Sequence, residues 1–256
     1  MRIVIKIGTS TLAYPAGHLN IRRVEELCKV ISDIKNAGNQ VIVVSSGAIA
    51  MGIGKLGLRE RPKDIPTKQA AAAVGQCELM YIYDKLFGEF NHTVAQLLIT
   101  GDDVENDTRH TNFTNTLNRL LDLGAIPIIN ENDTVATAEI VIGDNDTLAA
   151  IVAQSVSANR LILLSDIDGL YTADPHKDPD AKLIHTVHKI DDELFSLAGV
   201  SAGTQGTGGM ITKLQAAKIC MDSGCEMIIA NGNRPENLYD IMDDLQIGTK
   251  FTGVMV

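Results

Sequence analysis

The sequence has few aromatic residues, no tryptophan and no long apolar segment. Phe, Tyr and Trp together make up 4% of its 256 residues. No apolar run approaches the roughly 18 residues that a membrane-spanning helix needs, and residues 1–6 lack the charged-then-apolar layout of a signal peptide. These absences exclude a membrane protein and a small secreted module, and we expect a cytoplasmic protein.

Positive charge is also scarce. Lys and Arg total 22 against 32 Asp and Glu, which gives a formal net charge of −10 at pH 7. The basic residues form neither a patch nor a polybasic tail along the sequence. Nucleic acids and anionic membranes attract basic surfaces, so neither is expected as a partner.

The four cysteines, Cys28, Cys77, Cys220 and Cys225, form no C-x-x-C pair of the kind found in zinc and redox sites. Three of them lie within apolar helical patterns. We therefore predict reduced thiols buried in the core, rather than metal ligands or disulfides.

Short β-branched runs alternate with longer helical patterns along the chain. Continuously apolar runs are typical of parallel strands buried on both faces, and the alternation predicts an α/β fold: a three-layer α/β/α sandwich with a mainly parallel central sheet. No linker rich in Pro, Gly or Ser divides the chain, so residues 1–256 are expected to form a single domain. Strands are predicted at residues 2–7, 40–44, 94–99, 125–129, 160–164 and 226–230, and a hairpin is predicted at 134–142. One helix is predicted to begin after a cap at Asn20 and to end before Gly38. Further helices are predicted at 68–87, 114–123, 146–156, 213–223 and 235–242.

Several common catalytic motifs are absent or lack their structural context. Residues 52–57 (GIGKLG) fit G-x-G-x-x-G but follow a helix-prone segment instead of a strand, which argues against a dinucleotide-binding loop. The sequence contains no Walker A loop, no G-x-S-x-G elbow and no H-E-x-x-H. P-loop enzymes and the common hydrolases are thereby excluded.

Three other segments are suited to binding an anion. Residues 6–10 (KIGTS) place a lysine, a glycine and two hydroxyls at the end of the first strand, where open α/β sheets bind ligands. Residues 45–48 follow a buried strand and open a helix, and the glycine-rich residues 204–213 lead into another. Backbone N–H groups at such helix starts bind phosphate. The alternatives are an ordinary turn, a helix cap and a flexible loop.

Two polar clusters, residues 130–133 (NEND) and 143–146 (GDND), also lie at the ends of predicted elements. Carboxylate and amide oxygens of this kind can hold an ammonium group or a metal, although plain Asx turns would use the same residues. His185 and His188 have no acidic or thiol neighbour at ligand spacing, and we expect both to lie on the solvated surface.

Taken together, these segments resemble the amino-acid kinase family. KIGTS (6–10) and SDIDGLYTADP (165–175) are similar to segments shared by members with different acceptors. SSGAIAMG (45–52), INENDTVATAEI (129–140), GDNDTLAA (143–150) and GTGGMITKLQAA (206–217), in this order, resemble the group within the family that phosphorylates glutamate. The likeness extends over essentially the whole chain. The chain is expected to depart from this group in two respects. It is expected to lack the C-terminal PUA domain of many bacterial members. Residues 109–116 (RHTNFTNT) also differ from the pattern expected there, which bears on subunit contacts and feedback.

The resemblance implies that ATP phosphorylates the side-chain carboxylate of L-glutamate, the entry step to proline, with Mg²⁺ bridging phosphate oxygens and no protein ligand assigned to it. It also implies that Lys6 and Lys213 flank the transferring phosphoryl group and that Asp146 orients them. The N-terminal part would mainly bind the acceptor and the part from about residue 160 the nucleotide. The implied glutamate positions are Ser46, Gly47, Asn130, Asp133, Asp144 and Asn145; the implied nucleotide positions are Lys6, Gly8, Thr9, Ser165, Asp166, Tyr171, Thr207, Gly208, Gly209, Met210, Ile211, Thr212 and Lys213.

Two alternatives remain at this point. A sibling kinase could act on aspartate, N-acetylglutamate, UMP or isopentenyl phosphate, but acceptors that carry a phosphate would need more cationic residues than the two polar clusters offer. A regulator without turnover could share the fold, but the presence of both lysines argues against it. We further expect a homo-oligomer, feedback inhibition by proline, and glutamyl phosphate reductase as the neighbour in the pathway.

Overall fold

The apolar runs of the sequence pair into one sheet of eight strands. The computed structural model describes residues 1–14, 18–136, 145–175, 177–201 and 209–253, with residues 197–201 described by their backbone alone. The strands, in chain order, are β1 (Arg2–Ile7), β2 (Gln40–Ser45), β3 (Val94–Ile99), β4 (Ile126–Glu131), β5 (Arg160–Ser165), β6 (Thr186–Val187), β7 (Glu226–Asn231) and β8 (Thr249–Phe251).

The strand order across the sheet is β3-β4-β2-β1-β5-β7-β8-β6. Every pair is parallel except β7 with β8. Strand β1 lies between β2 and β5, so the chain builds the sheet outward from β1 in both directions. The carboxyl ends of β1, β2, β4, β5 and β7 therefore meet at one edge, where the crevice beside such a reversal point binds ligands in open α/β sheets.

Ten helices are described along the chain: α1 (Thr9–Leu12), α2 (Ile21–Asn36), α3 (Ala48–Leu56), α4 (Ile65–Gly88), α5 (Gly101–Glu105), α6 (Asp107–Asp122), α7 (Asn145–Ser155), α8 (Asp192–Ser201), α9 (Met210–Asp222) and α10 (Asn237–Met242). Helices α2, α3, α4 and α10 pack on one face of the sheet, and α6, α7 and α9 on the other.

Alternate residues of the strands divide between these two cores. In β1, Ile3, Ile5 and Ile7 face the core formed with α2, whereas Val4 faces the core formed with α7. This alternation is the period-two geometry of a strand. Because both faces are covered, the strands are mainly apolar, and the predicted three-layer α/β/α sandwich with its mainly parallel sheet is confirmed.

Local signals set the helix ends. The Asn20 side chain accepts a hydrogen bond from the backbone N–H of Arg23 and so caps α2. Helix α2 ends at Asn36, just before Gly38, whose φ of +90° lies in the left-handed region that glycine adopts readily. Helix α4 begins three residues earlier than predicted, because the side chain of Asp64 caps it by accepting from the Thr67 N–H.

Other predictions differ from the structure. Residues 52–56 lie inside α3 and Gly57 ends it, which agrees with rejecting a dinucleotide loop. Helix α6 starts at Asp107, seven residues before the predicted start, and α1, α5, α8, β6 and β8 were not predicted. The predicted hairpin at 134–142 falls mostly on residues 137–144, which lie outside the described residues.

The cysteines follow the prediction with one exception. All four thiols are free, and Cys28, Cys220 and Cys225 are buried. Cys77 is exposed, so its predicted burial is wrong: it lies on the outward face of α4, one residue beyond the inward-facing Gln76. His185 and His188 are exposed as expected. Among the described residues, no helix combines the length and apolar character needed to cross a membrane.

Candidate active site

The polar residues singled out in the sequence collect at the carboxyl edge of the sheet. Strand β1 is followed there by Gly8 and Thr9, β2 by Ser46 and Gly47, β4 by the NEND cluster and β5 by Asp166. Gly47 has a φ of +93°, a conformation that L side chains rarely adopt. A Cβ built on Gly47 would lie 3.6 Å from the Thr9 side chain, so the turns after β1 and β2 are in contact.

Two lysines and one aspartate meet at the centre of this edge. Lys6 Nζ lies 2.6 Å from Asp146 Oδ1, and Lys213 Nζ lies 2.9 Å from Asp146 Oδ2. The side chain of Asp146 is 1% exposed, and those of Lys6 and Lys213 are 12% and 7% exposed. We refer to Lys6, Asp146 and Lys213 as the charge triad.

Three elements bring the charge triad together. Lys6 is the penultimate residue of β1, Asp146 lies in the first turn of α7, and Lys213 lies in the first turn of α9. Helices α7 and α9 pack on the same face of the sheet, and a carboxylate in the first turn of α7 is also favoured by the helix dipole. The sheet and the helices that cover it therefore bring Lys6 and Lys213 together, although the two residues are far apart in the sequence.

The ionisation of Asp146 is set by opposing effects. Burial raises the pKa of the Asp146 carboxyl, but the neighbouring Lys6 and Lys213 cations outweigh burial and hold that pKa below its usual value. Asp146 is thus a carboxylate at neutral pH. One negative charge between two ammonium groups leaves the charge triad able to attract a further anion.

A chain of side-chain hydrogen bonds runs beside the charge triad. Asn145 Nδ2 donates to Ser45 O at 2.7 Å, to Ser46 Oγ at 2.9 Å and to Asn130 Oδ1 at 3.0 Å. Asn130 Nδ2 in turn donates to Gln76 Oε1 at 2.9 Å. We call Ser46, Asn145, Asn130 and Gln76 the amide chain. It joins three of the positions implied for glutamate, and Gln76 is a member that the sequence did not indicate.

Asp133 lies beyond the end of β4 and has a different environment from Asp146. Its side chain is largely shielded from water, and this burial raises the pKa of its carboxyl. A partly buried carboxylate of this kind is suited to an organic cation, which would lower the cost of its burial. Asp144, the other predicted carboxylate of this region, lies outside the described residues.

The residues implied for the nucleotide lie on the other side of the charge triad. Ser165 ends β5, and its Oγ donates to Asp166 Oδ1 at 3.1 Å. Tyr171 OH donates to Asp168 Oδ2 at 3.1 Å, and Asn231 Nδ2 donates to Asp168 Oδ1 at 2.8 Å. The Asp168–Asn231 contact across the ends of β5 and β7 was not predicted, because the two residues are distant in sequence.

The described part of the glycine-rich segment begins at Gly209, which precedes α9. Thr212 Oγ1 donates to Gly209 O at 2.7 Å and Met210 is half-buried, while Ile211 is exposed. Thr207 and Gly208 lie outside the described residues. A Cβ built on Gly8 would lie 3.3 Å from Leu164 O in β5 and 3.7 Å from Lys6 Nζ, so a bare glycine backbone adjoins the charge triad on the β5 side.

The chain is similar over most of its length to proteins of one family. The amino acid kinase family matches residues 1–231. The glutamate 5-kinase of Clostridium perfringens is 52% identical over 254 residues, covering 98% of this chain and 94% of the relative. That of Listeria monocytogenes is 51% identical, with 98% and 92% covered, and that of Thermoanaerobacter sp. is 52% identical, with 98% and 68% covered.

A solved structure shares the fold at lower identity. The isopentenyl phosphate kinase of T. acidophilum, in its product complex, superposes with a TM-score of 0.68 at 22% identity over 98% of this chain and 100% of its own. At that identity the likeness bears on the fold alone. The match of the family over most of the chain and the identity to full-length relatives lead to one conclusion. The chain belongs to the amino acid kinase family, within which its curated relatives are glutamate 5-kinases.

Proposed function

We propose that this kinase transfers the γ-phosphoryl group of ATP to the side-chain carboxylate of L-glutamate, giving L-glutamyl 5-phosphate and ADP. The observation that carries the proposal is the charge triad: two buried lysines held by one carboxylate at 2.6 and 2.9 Å, at the carboxyl edge of the sheet. The amide chain and Asp133 adjoin it on one side, and the β5 and β7 ends on the other.

The reaction is first of all a problem of charge. The acceptor carboxylate has an ordinary pKa of about 4.3, so it is ionised at pH 7 and needs no general base. One of its oxygens forms the new bond to the γ-phosphorus, while the bond from that phosphorus to the oxygen bridging to the β-phosphate breaks and leaves ADP. Two anions must therefore approach each other, and catalysis depends on positioning and on neutralising charge.

Lys6 and Lys213 are suited to that task because their ammonium groups lie on either side of Asp146. We assign both to the transferring phosphoryl group, where negative charge spreads over its oxygens in the transition state. Asp146 acts through the lysines and is a positioning residue. Its ion pairs on both oxygens leave it no role as a base.

The chemistry of ATP and Mg²⁺ fits the donors present on the nucleotide side. Among the described residues, no group of three His, Cys, Asp or Glu could hold a metal ion by itself. We therefore assign most of the magnesium ligands to phosphate oxygens and water, as is usual for this ion. When bound, Mg²⁺ supplies further neutralisation of phosphate charge. Gly8, Gly209 and the start of α9 offer backbone N–H groups to the nucleotide.

We assign recognition of glutamate to Asp133 and to three members of the amide chain, Ser46, Asn130 and Asn145. The Asp133 carboxylate is complementary to the α-ammonium group, and the Ser46 hydroxyl and Asn145 amide to its carboxylate oxygens and ammonium. In this assignment the segment before about residue 160 mainly binds the acceptor and the segment after it mainly binds the nucleotide.

One assay tests the proposal. The purified protein is incubated with ATP, Mg²⁺ and one acceptor at a time, and hydroxylamine traps any acyl phosphate as its hydroxamate. We expect hydroxamate with glutamate and none with aspartate or N-acetylglutamate. Hydroxamate from a different amino acid would contradict the acceptor assignment. ADP formation only with UMP or isopentenyl phosphate would point to a phosphate acceptor, and the absence of turnover with all acceptors to a regulator.

Three further proposals follow from the same function. An acyl phosphate hydrolyses readily, so a reductase, glutamyl phosphate reductase, is expected to consume the product. Proline shares the α-amino and α-carboxylate groups of glutamate, and we propose that it inhibits by competing at the glutamate site. We also propose that the protein forms a homo-oligomer, which light scattering on the purified chain would test.

A further inference from the structure

Gln76 is a buried amide in the middle of α4 that the proposed mechanism does not yet use. Its side chain is 8% exposed, and its Oε1 accepts the hydrogen bond from Asn130 Nδ2 at 2.9 Å. Asn130 itself is 2% exposed. A hydrogen bond between two buried amides is unusual inside an α/β core, where α4 otherwise contributes apolar side chains such as Leu79 and Phe87.

The direction of each bond in the amide chain depends on the next. Asn130 Oδ1 accepts from the backbone N–H of Glu131 at 2.9 Å and from Asn145 Nδ2 at 3.0 Å. Asn130 Nδ2 must then face an acceptor, and Gln76 Oε1 is that acceptor. If the Asn130 amide turned over, its Nδ2 would face the two donors that its oxygen now satisfies, which is costly for a buried group.

The same logic extends to Asn145. Because its Nδ2 donates to Asn130 Oδ1, Ser46 Oγ and Ser45 O, its Oδ1 is the atom left to accept from a ligand. An amide oxygen accepts from an ammonium group, whereas an amide nitrogen would repel it. Gln76 thus acts on Asn145 through Asn130: it completes the hydrogen bonds of the amide that accepts from Asn145 Nδ2, and so helps to hold Asn145 in the position that leaves its Oδ1 to the ligand.

Close contact between α3 and α4 holds Gln76 in place. A Cβ built on Gly75, the residue before it, would come within 1.7 Å of Ala48 O, and one built on Gly52 within 1.8 Å of Ala71 O. The two helices therefore touch through their backbones. Helix α3 begins directly after Ser46 and Gly47, so this contact fixes Gln76 relative to the turn that carries Ser46.

We propose that Gln76 is a positioning residue for the amino-acid acceptor: it orients the Asn130 and Asn145 amides so that the acceptor ammonium meets an oxygen. This inference rests on the proposed function, because it takes glutamate as the acceptor. It concerns acceptor binding alone.

The test begins with Gln76→Met, which keeps the length of the side chain and its helix propensity but removes the amide. Without this acceptor the buried Nδ2 of Asn130 loses its hydrogen-bond partner, Asn130 is held less firmly beneath Asn145, and we expect the glutamate KM to rise about 10- to 100-fold. The kcat and the ATP KM should stay within about twofold of the wild type, since neither depends on this amide.

The matched control is Tyr83→Phe. This change removes another buried hydrogen bond of α4, the 3.0 Å contact between Tyr83 OH and Ser45 Oγ. It should leave the glutamate KM unchanged.

A double-mutant cycle with Asn145→Ala separates positioning from a general structural role. If Gln76 acts through Asn145, Gln76→Met should raise the glutamate KM by less than about threefold in the Asn145→Ala background. Equal effects in both backgrounds would overturn the inference, as would an unchanged KM in Gln76→Met or a joint loss of kcat, ATP binding and thermal stability. A wild-type protein that forms no hydroxamate from glutamate contradicts the proposed function itself and removes the basis of the inference. An active wild type with an unaffected Gln76→Met contradicts the inference alone.

Discussion

At the scale of single residues, the aspartate and the two lysines of the charge triad differ in how far their charges are neutralised. Asp146 is bonded on both oxygens and 1% exposed, so its charge is satisfied by the protein itself. The two lysines share that one charge and keep a net positive charge between them. An anion that enters the cleft therefore meets cations that are already fixed in position, which avoids reorganisation during the reaction.

Replacing either lysine should affect turnover more than binding. Lys6→Ala or Lys213→Ala removes one cation directed at the transferring phosphoryl group, and we expect kcat to fall by roughly 10²- to 10⁴-fold. Steady-state kinetics with saturating ATP and glutamate measure the loss, and circular dichroism checks that the variants fold. A kcat close to that of the wild type would contradict the role of the lysine concerned.

Asp133→Asn should weaken glutamate binding selectively. The change keeps the size of the side chain but removes the charge opposite the α-ammonium group, and the loss of a partly desolvated ion pair is expected to cost about 2–4 kcal/mol. That corresponds to a rise of about 30- to 1000-fold in the glutamate KM, with the ATP KM nearly unchanged. Glutarate, which lacks the ammonium group, is the control substrate and should distinguish the two proteins far less. Equal losses with both substrates would assign Asp133 a structural role and turn attention to Asp144.

The same two carboxyl groups predict a pH dependence. Burial raises the pKa of Asp133 above its ordinary value of 3.8, so this group loses its charge at a higher pH than an exposed aspartate as the solution is acidified. Asp146 remains ionised there, because the lysines outweigh burial and lower its pKa. We expect kcat/KM for glutamate to fall on acidification before kcat does, measured from pH 8 downward. In Asp133→Asn this early fall should be absent; its persistence would assign it to another group.

Several of the proposed site residues could be predicted from the sequence because each lies in a separate, recognisable sequence motif. Lys6, Asp146 and Lys213 could be named from the sequence, but their distances could not, since the sheet brings together residues far apart in the chain. No sequence motif marks Gln76. It lies within an Ala-rich segment that is typical of a helix, and only its hydrogen bond with Asn130 in the structure distinguishes it.

At the scale of secondary structure, the strands of six residues were the most predictable elements. Strand β3 was predicted with the bounds that the structure has, and the β5 prediction is one residue short. Strands β6 and β8 span only 2 and 3 residues. Elements that short have too few residues to show a period, and their pairing depends on neighbours in the sheet. Helix α5 has only 5 residues, and its capping box between Thr100 and Asp103 was not recognised in the sequence.

The backbone contact between α3 and α4 makes a prediction about stability. Gly75→Ala would place a methyl group within 1.7 Å of Ala48 O, so the helices must separate. Overpacking of this kind costs about 1–3 kcal/mol or more. Gly88→Ala, in the last turn of α4, is the matched control: its Cβ would meet nothing within 4 Å, and the gain in helix propensity should leave stability equal or slightly higher. Urea unfolding of both variants measures the difference, and equal midpoints would contradict the close contact.

At the scale of the whole molecule, the site joins both halves of the sheet. Strands β2 and β4 lie on one side of β1 and strands β5 and β7 on the other. In the proposed function the first pair carries the acceptor side and the second pair the nucleotide side, with Lys6 of β1 between them. Elements from most of the chain must therefore be in place before either ligand can bind. A ligand that binds only this folded arrangement stabilises the entire protein by RT ln(1 + L/Kd), where L is the free ligand concentration.

This linkage gives a test of proline binding that does not depend on turnover. If proline competes at the glutamate site, each ligand alone should raise the thermal unfolding midpoint, but saturating amounts of both should raise it no further than the tighter ligand does alone. Kinetically, proline should raise the glutamate KM and leave kcat unchanged. Asp133→Asn, which lacks the carboxylate opposite the amino group, should lose the shifts caused by proline and glutamate while keeping that caused by a non-hydrolysable ATP analogue. Additive shifts from the two amino acids would mean separate sites, and unchanged glutamate kinetics at millimolar proline would rule out inhibition.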